Sequence, residues 1–283
     1  DRAGKGIRTP PRDAMLADAV VAAQWGKAYG LHRAMDTGGA IAGTALALLL
    51  FRYTGSYQQT FAWAALAGAG AVLVLAALVA EPAAAGGARR QSPPVLRGYP
   101  AGFWVFVASY AIFSAANVTY AFFLLRAQDL GVPPTWVPAV YLLHNVVYAA
   151  AGLPIGALSD RFSAWKSTVS IYLLHAAVCI GLSFASTAWA SVVAVAIYGV
   201  VLAGLGAATR ALAAELIPSP LRASGMAIYR GVGGIAALPG SWAIGLLWDR
   251  FGPVTAWTCA AALAGVGAAV LLTLPRSRVH SAA

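Results

Sequence analysis

The chemistry this chain offers lies in basic residues set within apolar segments. Nineteen Lys and Arg stand against nine Asp and Glu in 283 residues. Seven of the nineteen, Arg2, Lys5, Arg8, Arg12, Arg33, Arg210 and Arg230, fall in segments that read as membrane spans. A charge at the centre of a span costs about 2.5–3.5 kcal/mol on insertion scales, so such residues mark a polar pathway or a buried ion pair. Lys5, Arg8 and Arg12 are three and four residues apart, the spacing that puts them on one helical face. A cationic stripe of this kind attracts a carboxylate or phosphate ester, or else it pairs with acids elsewhere in the fold. Arg210 lies deep in an apolar run; it is either a contact for an anionic solute or one half of a structural ion pair. Arg33 and Asp36 are three apart, with His32 beside them. They form an intrahelical pair, or Asp36 is protonated reversibly and couples proton uptake to gating.

The elements that hold these residues are set by hydropathy. Apolar residues make up 60% of the chain and charged residues 10%, with mean hydropathy +0.73, a composition outside that of soluble domains. Eight runs approach or exceed the ~20 residues needed to cross the hydrocarbon: 28–51, 61–80, 101–125, 136–158, 167–185, 188–217, 223–248 and 254–274. In lipid only a helix lets an isolated segment satisfy its own backbone. The class is therefore all-α, a polytopic helical membrane protein embedded in a lipid bilayer.

Residues 1–20 look like a soluble loop by hydropathy, with four basic residues and Pro10-Pro11. An internal repeat argues otherwise. At an offset of 197, Ala14, Ala17-Asp18 and His32-Arg33 fall on Ala211, Ala214-Glu215 and Tyr229-Arg230. The acid and arginine fifteen residues apart recur at the same helix junction, so the opening segment is expected to be a ninth span ending near Asp18. The prolines are expected to kink it and free carbonyls toward a cavity.

Orientation follows from the loops. With 81–100 taken as cytoplasmic, one side holds Lys27, Arg89, Arg90, Arg97, Arg161, Lys166, Arg222, Arg276 and Arg278, the other only Arg52, Arg126 and Arg250. Nine against three places the C-terminus in the cytoplasm of an inner, plasma-membrane protein. Topology thus explains much of the net charge, and no nucleic acid partner is expected. Cys179 and Cys259 read as buried small hydrophobes, and the four histidines have no metal-ligand spacing. Gly4-Lys5-Gly6 lacks the spacing and the following Ser or Thr of a nucleotide loop. No cofactor, no metal and no enzymatic activity are expected.

A two-span repeat separated by four other spans, with a period near 200 residues, resembles the parallel six-helix halves of the major facilitator superfamily. Gly156-Ala-Leu-Ser-Asp160-Arg161-Phe162 followed by Lys166 is similar to that family's cytoplasmic loop pattern in its second-half copy. The opening Arg and Gly residues and Gly30-Leu-His-Arg33-Ala-Met-Asp36 look like its fourth and fifth helices. The resemblance implies that this chain covers helices four to twelve, with helices one to three absent. Residues 1–80 would be the rest of the N-terminal half, 81–100 a cytoplasmic linker and 101–283 the C-terminal six-helix half. One departure is Thr44, where antiporters of the family carry proline on the fifth helix; Gly39 and Gly43 there read as a face for close packing.

In the family plan helices one, four, seven and ten line the cavity. The substrate residues it implies are Arg8, Arg12, Asn117, Tyr120 and Arg210, with Arg33 and Asp36 as the proton-coupling or ion pair. His144-Asn145 is read as an interhelical hydrogen-bonding pair. The cytoplasmic loop and gate residues are Asp18, Asp160, Arg161, Glu215 and Arg222. Repeat geometry suggests Asp18–Arg222 and Glu215–Lys27 pairs, and Asp160 is read as a cap for the helix that follows it. The expected function is alternating-access, secondary-active transport of a small organic solute, proton-coupled and with an anionic substrate, by a monomer. The alternatives are multidrug efflux antiport and a non-transporting assembly or sensor protein on the same fold.

Overall fold

Apolar runs of this length dictate long helices, and the computed structural model, which describes residues 2–78, 96–117 and 119–274, consists of helices and short turns throughout those residues. The opening segment is helical, as α1, Arg2–Asp18, which runs through Pro10 and Pro11 as one helix. A 3-10 turn leads into α2, Trp25–Thr54, and Gly55 at φ 64° turns the chain into α3, Tyr57–Leu78. Residues 81–95 of the expected linker lie outside the described residues, as do 275–283 at the C-terminus. Next come α4, Ala101–Ala116, α5, Tyr120–Asp129, and α6, Val137–Phe162. The chain ends with α7, Ala164–Phe184, α8, Ala188–Leu216, and α9, Arg222–Leu272. Six helical stretches among the described residues are long and apolar enough to cross a membrane. The last of them, Ser219–Leu272, holds both of the expected final spans. It is divided where Gly252 takes φ 82° ahead of Pro253, a conformation glycine adopts without steric cost.

The expected span 101–125 is not one helix. Asn117 closes α4, donating its backbone N–H to the Phe113 carbonyl, and Thr119 opens α5 by accepting the Ala121 N–H at 3.3 Å. The Thr119 hydroxyl satisfies a backbone group at the break that lipid could not.

Contacts divide the chain into two units, Asp1–Met35 with Pro93–Ala283, and Asp36–Ser92. In the second, α3 exposes Phe61, Trp63, Leu66 and Leu73, as a helix apolar all round does when it faces lipid. In the first, α4 packs on α9, α6 on α8, and α7 on both α8 and α9. The core there is aromatic, with Phe113 stacked on Tyr172 and Phe123 on Tyr198, each at 3.9 Å between centroids.

Close helix contact in this unit rests on glycine pairs other than those expected. Gly26 and Gly30 of α2 meet Gly156 and Gly152 of α6, so that a Cβ on Gly30 would collide with the Gly152 carbonyl and one on Gly156 with that of Gly26. Each helix thus supplies a small-xxx-small step, and the two backbones touch. At Gly39 and Gly43 a Cβ would meet nothing within 4 Å among the described residues.

Candidate functional site

The first unit holds an open cavity of about 230 Å³, bordered by α2, α4, α6, α8 and α9. Arg33, Arg210 and Arg230 line it, and among the described residues no Asp or Glu does. The helix break described above gives it Asn117, whose Oδ1 accepts a hydrogen bond from Tyr198 at 3.0 Å. Tyr110, Ser114, Tyr148, Thr209 and Tyr229 add hydroxyls.

Behind this wall lies the residue that organises the charge. Asp13 on α1 is fully buried, and its Oδ2 lies 3.4 Å from Arg210 Nε and 3.2 Å from Arg230 Nε. Its Oδ1 accepts a hydrogen bond from Arg12 at 3.3 Å. Tyr29 on α2 donates to the Asp13 carbonyl at 2.7 Å and offers its ring to the Arg210 guanidinium at 5.8 Å. One carboxylate therefore faces three guanidinium groups. Arg210 is 4% exposed, and its Nη1 has no hydrogen-bond partner among the described residues. A buried donor left unmade costs on the order of 1–3 kcal/mol, more when charged, so the site favours an added acceptor.

Arg33 is anchored separately. Its Nε donates to the Tyr148 hydroxyl, and its guanidinium sits 4.7 Å from that ring's centroid. Gly206 makes room for its stem, since a Cβ there would lie 3.4 Å from Arg33 Cγ.

The remaining expected residues are dispersed. Arg210 and Asn117 line the cavity, and Arg12 reaches it only through Asp13. Tyr120 is half exposed, with its ring 4.9 Å from that of Tyr141, and is not part of the lining. The Arg8 side chain lies outside the described residues, and Asp36 belongs to the other unit. His144 is buried with Nδ1 3.2 Å from the Val195 carbonyl, while Asn145 donates within its own helix to Tyr141, at 2.8 Å.

At the loop end, Asp18 is paired with Arg222, whose guanidinium also lies over the Trp25 ring at 5.1 Å. Asp160 caps a helix, but not the one that follows it: its carboxylate accepts the backbone N–H groups of Gly26, at 2.6 Å, and Lys27, at 2.7 Å. Ser163 caps α7 instead, accepting from Lys166 N at 3.4 Å. The Arg161 guanidinium lies 5.7 Å from the Phe162 ring centroid. Glu215 and Lys27 make no ion pair among the described residues, and Glu215 Oε2 is buried without a hydrogen-bond partner there. The repeat supplies the reason. An offset of 197 carries Arg222 onto Trp25, so the arginine that serves Asp18 has no counterpart for Glu215.

The same offset carries Asp13 onto Arg210. Two repeat-related pairs, 13 with 210 and 25 with 222, thus touch their own equivalents, as residues beside a two-fold axis do. Asp13, Arg230, Tyr29 and Tyr148 were not among the site residues expected from sequence; the offset itself was the signal for Asp13.

Comparison with known proteins agrees with this architecture. The family model described as Major Facilitator Superfamily matches residues 2–241 and 103–282. An uncharacterized MFS-type transporter of Methanocaldococcus jannaschii is 30% identical over 280 residues, covering 96% of this chain and 69% of that one. An uncharacterized protein of Mycobacterium tuberculosis is 25% identical over 261 residues, covering 88% of this chain and 63% of that one. The human organic anion transporter MFSD10 has a similar fold, with TM-score 0.52 at 13% identity, over 60% of this chain and 39% of that one. The repeat, the helices and these matches agree: the chain is a multi-pass membrane protein and belongs to the major facilitator superfamily of membrane transporters.

Proposed function

We propose that the protein to which this chain belongs is a secondary-active transporter of a small organic anion, working by alternating access. The observation that carries the reading is a cavity lined, among the described residues, by three arginines and no acid, with Arg210 buried and holding an unmet donor. A preorganised cationic pocket of low dielectric attracts an anion more strongly than the same groups would in water.

In this reading residues 1–80 belong to one rocking half and 101–283 to the other, joined by a linker at 81–100. The cytoplasmic face is the one carrying Lys27, Arg161 and Arg222, with the C-terminus on that side of the plasma membrane. The gate is then the set of contacts at that face: Asp18 with Arg222, Asp160 on the first turn of α2, and the glycine contacts of α2 with α6. A carboxylate on a helix N-terminus gains from the helix dipole, and both polar contacts are ones water can replace. They can therefore hold the face shut and still yield when the halves rock.

The test is thermal unfolding of the full-length protein in detergent, with small organic anions or lipophilic cations added. A ligand bound at one hundred times its Kd stabilises by about 2.7 kcal/mol. Anions should raise the midpoint for the native protein and fail to do so for Arg210→Gln. Stabilisation by cations alone, surviving that substitution, would replace this reading with cation efflux.

A further inference from the structure

Positive charge in the cavity is gathered at two places. Arg210 and Arg230 converge on Asp13 Oδ2. Arg33 is held by a different set of contacts, its stem on Gly206 and its head on Tyr148. The backbone of Tyr148 packs beside Gly199, where a Cβ would lie 3.2 Å from Tyr148 N. Gly206, on which the Arg33 stem rests, is four residues before Arg210 on α8 (206 to 210), or about 6 Å of helix rise. Both groups border one cavity, whose other lining residues are hydroxyls, an amide and apolar side chains.

Such a site gives a monoanion one pole and leaves the other facing an apolar or neutral part of the ligand. A second acid on the ligand would meet the second pole. Resting on the anion reading above, we propose that the cavity takes a short dianion with an acidic group at each end, of the dicarboxylate class. One acid binds between Arg210 and Arg230 and takes up the donor that Asp13 leaves unmet. The other binds Arg33, with Tyr148 fixing the guanidinium from behind. Arginine suits both positions because its planar fork binds carboxylate through two parallel hydrogen bonds. Asp13 acts as a positioning residue: it holds Arg210 and Arg230 together and lowers the charge the ligand has to neutralise at that pole.

The experiment is isothermal titration of the full-length protein in detergent, at low salt and neutral pH, with succinate, butyrate and tetraphenylphosphonium. Succinate should bind at least about tenfold more tightly than butyrate, a difference of about 1.4 kcal/mol. In Arg33→Gln that ratio should fall to about twofold or less, and in Arg33→Lys, which keeps the charge, it should stay above about threefold. Should Arg33→Gln not fold, Tyr148→Phe removes the anchor on Arg33 and should also narrow the ratio. Equal binding of succinate and butyrate by the native protein would overturn the dianion inference and leave the anion reading standing. So would an Arg33→Gln variant that weakens both ligands equally. Binding of tetraphenylphosphonium alone, or of none of the three by folded protein, would overturn both.

Discussion

Replacing Asp13 with Asn tests the charge architecture most directly. The substitution keeps size and polarity but removes the only carboxylate found against Arg12, Arg210 and Arg230 among the described residues. Removing one partner of a buried ion pair costs about 3–5 kcal/mol, because the other charge stays buried and uncompensated. Arg210, 4% exposed, carries most of that cost; Arg12 and Arg230 are about a third exposed and can turn to water. The lower end of the range, about 3 kcal/mol, is therefore the expected loss. At roughly 2–4 °C per kcal/mol this is a midpoint lowered by about 6–12 °C. The assay is thermal unfolding in detergent of the native protein, Asp13→Asn, Arg210→Gln and the double variant. The double variant should recover at least about half of the loss, since it removes the stranded charge. An anion that binds the freed arginines should also raise the Asp13→Asn midpoint more than it raises the native one. A midpoint for Asp13→Asn within about 2 °C of native, equal to under 1 kcal/mol, would refute the account.

Three further outcomes follow from other contacts. Arg126 is buried and donates to the carbonyls of Leu182, at 3.3 Å, and Ala185, at 3.2 Å, where α7 ends. Arg126→Met should lose about 2–3 kcal/mol by thermal unfolding, from two charge-assisted bonds at a helix C-terminus. Gly30→Val should drive α2 and α6 apart, because its Cβ collides with the Gly152 carbonyl; the loss should exceed about 3 kcal/mol, or a cysteine at position 34 should become reactive to an aqueous thiol reagent. Asp160→Asn keeps an acceptor but loses its charge on the first turn of α2, so it should cost about 1 kcal/mol and speed labelling of a cysteine placed at position 159, where the native serine is buried beside Gly26. Unchanged labelling with unchanged stability would remove Asp160 from the gate.

The spans were legible because hydropathy acts over twenty residues and tolerates errors of detail. The first helix was not legible that way, and only its repeat partner identified it. What escaped was decided by tertiary contact. The break between α4 and α5 lies within an apolar run whose mean hydropathy hides it, although Asn117 and Thr119 are types that cap helix ends. Small-residue steps occur at Gly26–Gly30, Gly39–Gly43 and Gly152–Gly156, and which of them meets a partner backbone depends on where the partner lies. Asp160 reads as a cap from its type and place, but the helix it serves is more than 130 residues away in sequence. Arg210 reads from sequence as either a solute contact or an ion-pair member, and it lies both on the cavity and against Asp13.

The contact of position 13 with position 210 bears on how a duplicated protein diverges. In a chain whose halves were still identical, the residue at 13 would equal the residue at 210, and any side chain on the axis would meet a copy of itself. Two aspartates there would repel in a dry interior, and so would two arginines. Only an uncharged pair is stable while the halves are the same. An Asp facing an Arg therefore requires that sequence symmetry be broken at the axis, and broken at both positions together, since either change alone buries a lone charge. At the second such contact, 25 with 222, an arginine lies over a tryptophan ring and takes its carboxylate from Asp18 instead. Opposite charges at equivalent positions, as at 13 and 210, are thus one mark of the axis that a duplicated sequence can carry.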